Sequence, residues 1–143
     1  MKHNTYNFAD LACTLIHPAV GQLSIQGEGA GVIVFSMSND TSTHETANDG
    51  TVMTSKINSY SGTVTISVQQ TSEAHKWLTK LNNYLIEAPT SEWAGISCMA
   101  TSQDMGVTYE GSHMSIQKAP DETFGQQGQM LSWVFLASEL RRY

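Results

Sequence analysis

The chain has 143 residues and few charged side chains, and the basic ones are the scarcest. Asp, Glu, Lys and Arg make up 14% of the residues, against roughly 25% in typical globular proteins. Lys and Arg number 7 and Asp and Glu number 13, and no basic residue lies between Lys2 and Lys56. Because phosphate binding relies on Lys and Arg, this distribution argues against a protein that holds nucleic acid.

The sequence also lacks long hydrophobic runs and an export signal. No run approaches the roughly 20 apolar residues of a membrane span, so no membrane partner is predicted. Met1 to Asn4 lead directly into strand-like sequence without an apolar signal core, which predicts folding in a reducing cytoplasm. In that compartment Cys13 and Cys98, both in apolar contexts, are expected to be buried free thiols rather than a disulfide.

Patterns for catalysis and for metal binding are missing as well. The five histidines have no paired spacing and neither cysteine has a close partner, so no metal and no cofactor are predicted. Gly27-Glu-Gly-Ala-Gly31 lacks the Gly-Lys-Ser/Thr of a phosphate-binding loop, and a flexible turn between strands is expected there. No Gly-x-Ser-x-Gly elbow occurs. The sequence therefore predicts no catalytic residue and no enzyme.

What the chain does contain is a series of alternating segments typical of antiparallel strands. Strands are predicted at residues 6–17, 22–26, 32–47, 51–60, 63–71, 96–100, 107–110, 114–118 and 131–137. Residues 32–71 are predicted to form a long three-strand meander, which includes an extended hairpin at about 41–61 with Asn48-Asp-Gly50 as its turn. This layout predicts a mainly β fold, an antiparallel sandwich or partial barrel, with residues 1–143 as one domain.

One segment has helical rather than strand periodicity. A helix is predicted from about Glu73 to Glu87, with Ser72 as its N-cap. Its apolar side chains recur every three or four residues and are expected to pack on the sheet: Ala74, Trp77, Leu78, Leu81 and Leu85.

The polar faces of two predicted strands carry hydroxyl and amide groups instead of charges. The polar side chains share one face of residues 32–47 and one face of residues 63–71, opposite the apolar ones. They are Ser36, Ser38, Asp40, Ser42, Thr63, Thr65, Ser67 and Gln69. Such a face is either the ordinary solvated side of an antiparallel sheet or the wall of an aqueous channel, and alternation alone leaves both open.

Several segments, taken together, point to a known family. They are Gly50-Thr-Val-Met-Thr-Ser55, Tyr60-Ser-Gly-Thr-Val-Thr-Ile-Ser-Val-Gln-Gln-Thr-Ser72, Ser115-Ile-Gln-Lys-Ala-Pro120, Phe124 and Ser132-Trp-Val-Phe-Leu-Ala137. With Tyr6-Asn-Phe-Ala-Asp10 and the turn at Gly27, this series resembles the tail tube proteins of contractile-tailed bacteriophages. The resemblance spans nearly the whole chain in the family's order, whereas the residues beyond Leu136 depart from it.

The resemblance implies a structural virion protein that assembles in the host cytoplasm and resides in the phage tail. Hexameric rings, whose strands join into one barrel, would stack into the inner tube that conducts DNA during ejection. The implied partners are further copies, the sheath protein, a tape-measure protein in the lumen, and tail-terminator and baseplate proteins, with DNA only in transit. The implied ring-stacking loop comprises Thr41, Asn48, Asp49, Gly50 and Ser61.

The polar strand faces described above would then line the lumen. Neutral hydroxyls hold water and carboxylates repel phosphate, so such a wall would let DNA pass, whereas Lys or Arg would hold it.

Two other interpretations stay open. A related contractile device, such as a phage-derived bacteriocin or a secretion-system ring, would share fold and assembly but expel no genome, and flanking genes would distinguish it. A monomeric carbohydrate-binding β-sandwich would present exposed aromatic side chains on one strand face, whereas the faces predicted to be exposed here are hydroxylic.

Overall fold

The computed structural model describes residues 2–25 and 30–143. Within these ranges the chain forms nine strands, one α-helix and two 3-10 helices at Phe8–Asp10 and Thr90–Glu92. The helix α1 spans Glu73–Glu87. The strands are β1 (Leu11–His17), β2 (Gly21–Ile25), β3 (Ala30–Met37), β4 (Ser42–Thr46), β5 (Val52–Lys56), β6 (Gly62–Gln69), β7 (Ile96–Ser102), β8 (Val107–Lys118) and β9 (Met130–Arg142).

Seven strands form one antiparallel sheet in the order β2-β1-β7-β8-β9-β6-β3, and β4 and β5 form a separate pair. The large sheet curls into a half-barrel. The rings of Phe35 on β3 and Tyr109 on β8 stack with centroids 4.4 Å apart, although β6 and β9 separate these strands in the sheet. The predicted fold class, mainly β with one packed helix, is confirmed.

The helix α1 closes the core side of the sheet. Leu78, Leu81 and Leu85 are buried, and Trp77 is half-buried against the same core. The helix has the predicted bounds, and the Ser72 hydroxyl accepts a hydrogen bond from the His75 N–H at its first turn. Each fully buried leucine contributes roughly 1.5–3 kcal/mol to stability through removal of its side chain from water.

The predicted continuous strand over residues 32–47 is wrong, and so is the three-strand meander. Strand β3 ends at Met37 and β4 begins only at Ser42, so β3 pairs directly with β6 and the β4–β5 hairpin is an insertion between them. The Asn39 side-chain amide donates hydrogen bonds to the Ser59 and Ser61 hydroxyls, at 2.8 and 3.3 Å, and holds the bend. Asn favours such local side-chain bonds over a strand ladder.

Other strand boundaries in the structure differ from the predicted ones, because the alternation of buried and exposed residues is interrupted. Residues 8–10 form a 3-10 turn, where the Asn7 side chain accepts from the Ala9 N–H. The two strands predicted at 107–110 and 114–118 are one strand, β8, which keeps one register with β9 from Tyr109 to Ile116 while His113 adopts a φ of 49°. Gly111 and Met114 are therefore both buried, which breaks the alternation. The turn predicted at Gly27–Gly31 lies largely outside the described residues.

Cys13 and Cys98 are buried free thiols, as predicted, with their Sγ atoms 3.9 Å apart on adjacent strands. The hydrogen bond with Cys13, and then burial, raise the pKa of the Cys98 thiol, which keeps it protonated. Among the residues that the structure describes, no helix has the length and hydrophobicity that a membrane crossing requires.

Candidate functional site: assembly surfaces

The face of the sheet that points away from the core has hydroxyl side chains in its middle and apolar ones beside them. Thr63, Thr65 and Ser67 of β6 lie on this face. Their cross-strand partners share the face: Ser36 and Val34 on β3, and Leu136, Val134 and Ser132 on β9. The hydroxyls of Ser67 and Ser132 lie 3.0 Å apart and share a hydrogen bond. The sequence therefore forms a neutral surface here, half hydroxylic and half aliphatic.

Charge is absent from most of the large sheet. The strands β1, β2, β3, β6 and β7 contain no Asp, Glu, Lys or Arg. The charged side chains of the sheet lie near the ends of the two long strands, at Glu110 and Lys118 on β8 and at Glu139, Arg141 and Arg142 on β9. Arg141 is occupied locally, because its guanidinium bonds to Glu139 and lies 4.3 Å from the ring centroid of Tyr60. A ligand crossing the middle of this face would meet no formal charge.

The eight polar residues predicted to share a face are not all brought together. Ser36, Thr63, Thr65 and Ser67 lie on the same face of the large sheet. Gln69 is exposed at the end of β6, opposite Met130. Ser38 and Asp40 are exposed in the link between β3 and β4, and Ser42 begins β4 opposite Lys56. The expected common face fails there because the strand that would have carried it is interrupted.

Among the described strands, β2 and β3 each have a neighbour on one side and an unpaired edge on the other. An unpaired edge presents backbone N–H and C=O groups that can pair with another chain. The eight-residue β3 carries none of the charges or prolines that commonly block such an edge. Its side chains Val32 and Val34 are 53% and 45% exposed, which leaves this edge suited to strand addition.

The hairpin, defined here as residues 42–56, projects from the sheet without a partner surface of its own. All ten residues of β4 and β5 are exposed, including Val52 and Met53. Its tip is a hydrogen-bonded turn, in which Asp49 Oδ1 accepts the Thr51 N–H at 3.0 Å and Gly50 has a φ of 88°. The hydrogen bond from the Thr51 backbone, and then that from the Thr51 side chain, lower the pKa of the Asp49 carboxyl. An isolated two-stranded hairpin is marginally stable in water, so this one is suited to being covered by another surface.

The five residues predicted for ring stacking lie on or beside this hairpin. Asn48, Asp49 and Gly50 form its tip, as the turn chemistry predicted. At its base the Thr41 carbonyl accepts the Ile57 N–H at 3.0 Å, and the Ser61 hydroxyl accepts from Asn39.

A polar cluster that sequence reasoning missed links α1 to the segment after β8. Trp133 Nε1–H donates to His75 Nδ1 at 3.3 Å, so His75 Nε2 carries the proton and donates to Glu122 Oε1 at 3.0 Å. The Gln70 amide donates to Glu122 Oε2 at 3.2 Å and to the Thr123 carbonyl. The bonds from Gln70 and then His75 lower the pKa of Glu122. The partners lie 47–58 residues apart along the chain, and no local pattern marks them.

The described residues hold no group of three or more His, Cys, Asp or Glu side chains that could bind a metal ion. The notable features of the described residues are an open β3 edge, a neutral face, an unpartnered hairpin and a loop fixed by hydrogen bonds from Gln70 and His75. These features are suited to association between chains.

Comparison with known proteins identifies one matching family model and several solved structures with a similar fold. The family model described as bacteriophage PhiTE tail tube protein matches residues 3–142. A chain in the cryo-EM structure of the anti-feeding prophage cap, a tube-terminating cap, has a TM-score of 0.64 at 8% identity, covering 100% of this chain and 93% of that one. A chain in the extended sheath–tube complex of PVC, an extracellular contractile injection system, has a TM-score of 0.63 at 10% identity, with coverages of 93% and 87%.

A chain of the PVC sheath/tube terminator in the extended state has a TM-score of 0.59 at 11% identity and covers 99% of this chain and 98% of that one. At such identities these structures establish a shared fold. No curated protein sequence matches the chain.

Proposed function

The chain belongs to the bacteriophage PhiTE tail tube protein family, and we propose that its copies join into hexameric rings that stack into the inner tube of a contractile phage tail. The tube conducts DNA during ejection. The observation that carries this proposal is the combination, on β3, of an unpaired edge and a neutral outer face.

Ring closure follows from the edge. When a strand of the neighbouring copy pairs with β3, the exposed backbone groups are satisfied, and a closed ring leaves no such edge for aggregation. Barrel diameter grows with strand number, and 16–18 strands already leave an aqueous channel. A ring that takes several strands from each of its six copies is therefore wide enough for a duplex.

The outer face of β3, β6 and β9 becomes the lumen wall in this proposal. Duplex DNA carries about one negative charge per 1.7 Å of its axis, and each Lys or Arg contact adds affinity that many stacked rings would multiply. Thr63, Thr65, Ser67 and Ser36 offer neutral hydroxyls instead, and the valines beside them offer no charge. DNA can pass such a wall without being held.

The remaining partners follow from the tube. A sheath surrounds it, a tape-measure protein occupies the lumen before ejection, and terminator and baseplate proteins cap its two ends. The support for the sheath, terminator and baseplate partners is that chains of the same fold occur in a sheath–tube complex, a sheath/tube terminator and a baseplate of other contractile systems.

Electron microscopy of the purified protein over a concentration series tests the assembly. Rings or tubes with a central channel are expected from the wild type. Val34→Lys, which places a charge beside the β3 edge, should leave the subunit folded but reduce ring formation, while Asn83→Lys on the exposed side of α1 should not. A wild-type protein that stays monomeric at high concentration would refute the proposal and favour the carbohydrate-binding sandwich.

A tube for an injection device without a genome is the second candidate. Its support is that the similar solved folds come from the anti-feeding prophage and PVC. Both candidates require the same rings and tube, and the presence of DNA-filled heads attached to the tails in producing cells would distinguish them.

A further inference from the structure

The two ends of β6 carry two different exposed features. Gly62, at the start of the strand, pairs with Met37, and the hairpin (residues 42–56) projects from that end. At the other end, Gln69 is followed by Gln70, which bonds to the segment between β8 and β9. The two ends of this eight-residue strand lie about 23 Å apart. A subunit with unlike surfaces at opposite ends is suited to head-to-tail contact.

The segment at the far end is held in place at both of its own ends. We define residues 121–129 as the clamped loop, because Gln70 and His75 fix Glu122 and Thr123, as described above. At its other end, the Gln70 N–H donates to the Gln129 carbonyl at 3.0 Å, and the Gln129 N–H donates to Gln70 Oε1. A loop fixed in this way loses little conformational entropy when it binds a partner.

The clamped loop holds one large apolar side chain in solvent. Phe124 is 85% exposed, the highest exposure among the large hydrophobic side chains of the described residues. Beside the loop lies a cleft of about 370 Å³ lined by Gln69, Gln70, Thr71, Gly128, Gln129 and Met130, called here the amide cleft. Its lining carries no charge, and the side-chain amides of Gln69 and Gln129 can donate hydrogen bonds to a ligand.

We propose that the amide cleft and Phe124 receive the hairpin of a second copy in the next ring. The tip residue Asp49 then meets amide donors, and Phe124 packs against the exposed apolar side chains of β5, Val52 or Met53. This inference rests on the proposed stacking of rings and names the two surfaces that meet. It also explains why the hairpin has no covering surface within its own chain.

Two other clefts fit the hairpin less well. One, at the N-terminal segment, is lined by Asp10 and Asp104, whose carboxylates lie against each other and would repel Asp49, whereas Glu122 beside the amide cleft is bound by Gln70 and His75. The other is lined by Arg141 and Arg142 and attracts an acidic tip, but Met37 and Tyr60 also line it, at the base of the chain's own hairpin. A head-to-tail stack brings the hairpin to the opposite end of the next subunit.

Substitution of Phe124 tests the contact. Phe124→Ser is expected to weaken association between rings by roughly 10- to 100-fold, because the variant has no phenyl group to remove from water when the rings meet. The melting temperature of the unassembled subunit should be unchanged. Phe124→Leu should retain tubes. Tyr6→Ser is the matched control, since Tyr6 is 72% exposed and lines the N-terminal cleft. Normal tubes from Phe124→Ser, or loss of tubes from Tyr6→Ser alone, would overturn the inference.

Cross-linking tests the pairing without altering Phe124. Asn48→Cys in one preparation and Gln127→Cys in another are mixed, assembled and treated with a short bismaleimide. A covalent dimer is expected from the mixture and not from either variant alone. A dimer between Asn48→Cys and Met37→Cys instead would assign the hairpin to the arginine-lined cleft.

These outcomes are separable from failure of the proposed function. Tubes that form normally with Phe124→Ser refute the stacking surface and leave the tube intact. A wild-type protein that forms neither rings nor tubes refutes the proposed function itself.

Discussion

Substitution of Leu81 measures how much the packing of α1 contributes to the free energy of unfolding. The Leu81 side chain is 0% exposed and lies in the core cluster between the helix and the sheet. Leu81→Ala removes buried methyl groups and leaves a cavity, which typically costs about 2–5 kcal/mol. Native domains are stable by only about 5–15 kcal/mol, so this one change removes a large share. At about 3 °C per kcal/mol for a chain of this size, the melting temperature should fall by about 6–15 °C.

The measurement is thermal unfolding, followed by far-UV circular dichroism on unassembled protein at low concentration. Association would otherwise stabilise the folded state by mass action and hide the loss. Ile86→Ala is the control on the same helix, because Ile86 is 65% exposed and surface changes usually stay within about 0.5 kcal/mol. If Leu81→Ala melts at the same temperature as Ile86→Ala, α1 does not share the core of the sheet and the packing described here is wrong.

Three further predictions concern the hydrogen bonds that hold the clamped loop and the proposed lumen wall. His75→Phe leaves the buried Trp133 N–H without its acceptor and should lower stability to urea by about 1–3 kcal/mol, with no change in the slope of the denaturation curve. Hydrogen bonds lower the pKa of Glu122 below its ordinary 4.5, so the ionised carboxylate stabilises the folded state fully above pH 4.5. This stabilisation is lost as the pH falls through the folded-state pKa, and Glu122→Gln should therefore make stability depend less on pH in acid. Thr65→Lys should leave tubes intact yet reduce DNA delivery by phage carrying it, whereas equal infectivity to an Asn83→Lys phage would count against a lumen at β6.

Several features of this protein depend only on residues that are close together in the sequence, and these features were predictable from the sequence. The change from period 2 to period 3.6 after Ser72 located α1 at residues 73–87, and Asn48-Asp-Gly50 located the hairpin tip. The alternation of Val64 and Ile66 with Thr63 and Thr65 separated the core face of β6 from its hydroxyl face. The resemblance to tail tube proteins followed from linear segments and was confirmed by the family match over residues 3–142.

What the tertiary structure decided are relations between distant residues. Alternation continues past Met37, yet the Asn39 side chain bonds to Ser59 and Ser61 and detaches the hairpin from the sheet, which divides the expected polar face. The hydrogen bonds from Gln70 and His75 to Glu122 join residues about 50 positions apart, and no local sequence pattern distinguishes these residues from other polar ones. Periodicity records which way a side chain points relative to its neighbours, and it holds no information on which remote segment lies opposite. Only the sheet order, set by packing around one core, determines that β3 is left with an open edge.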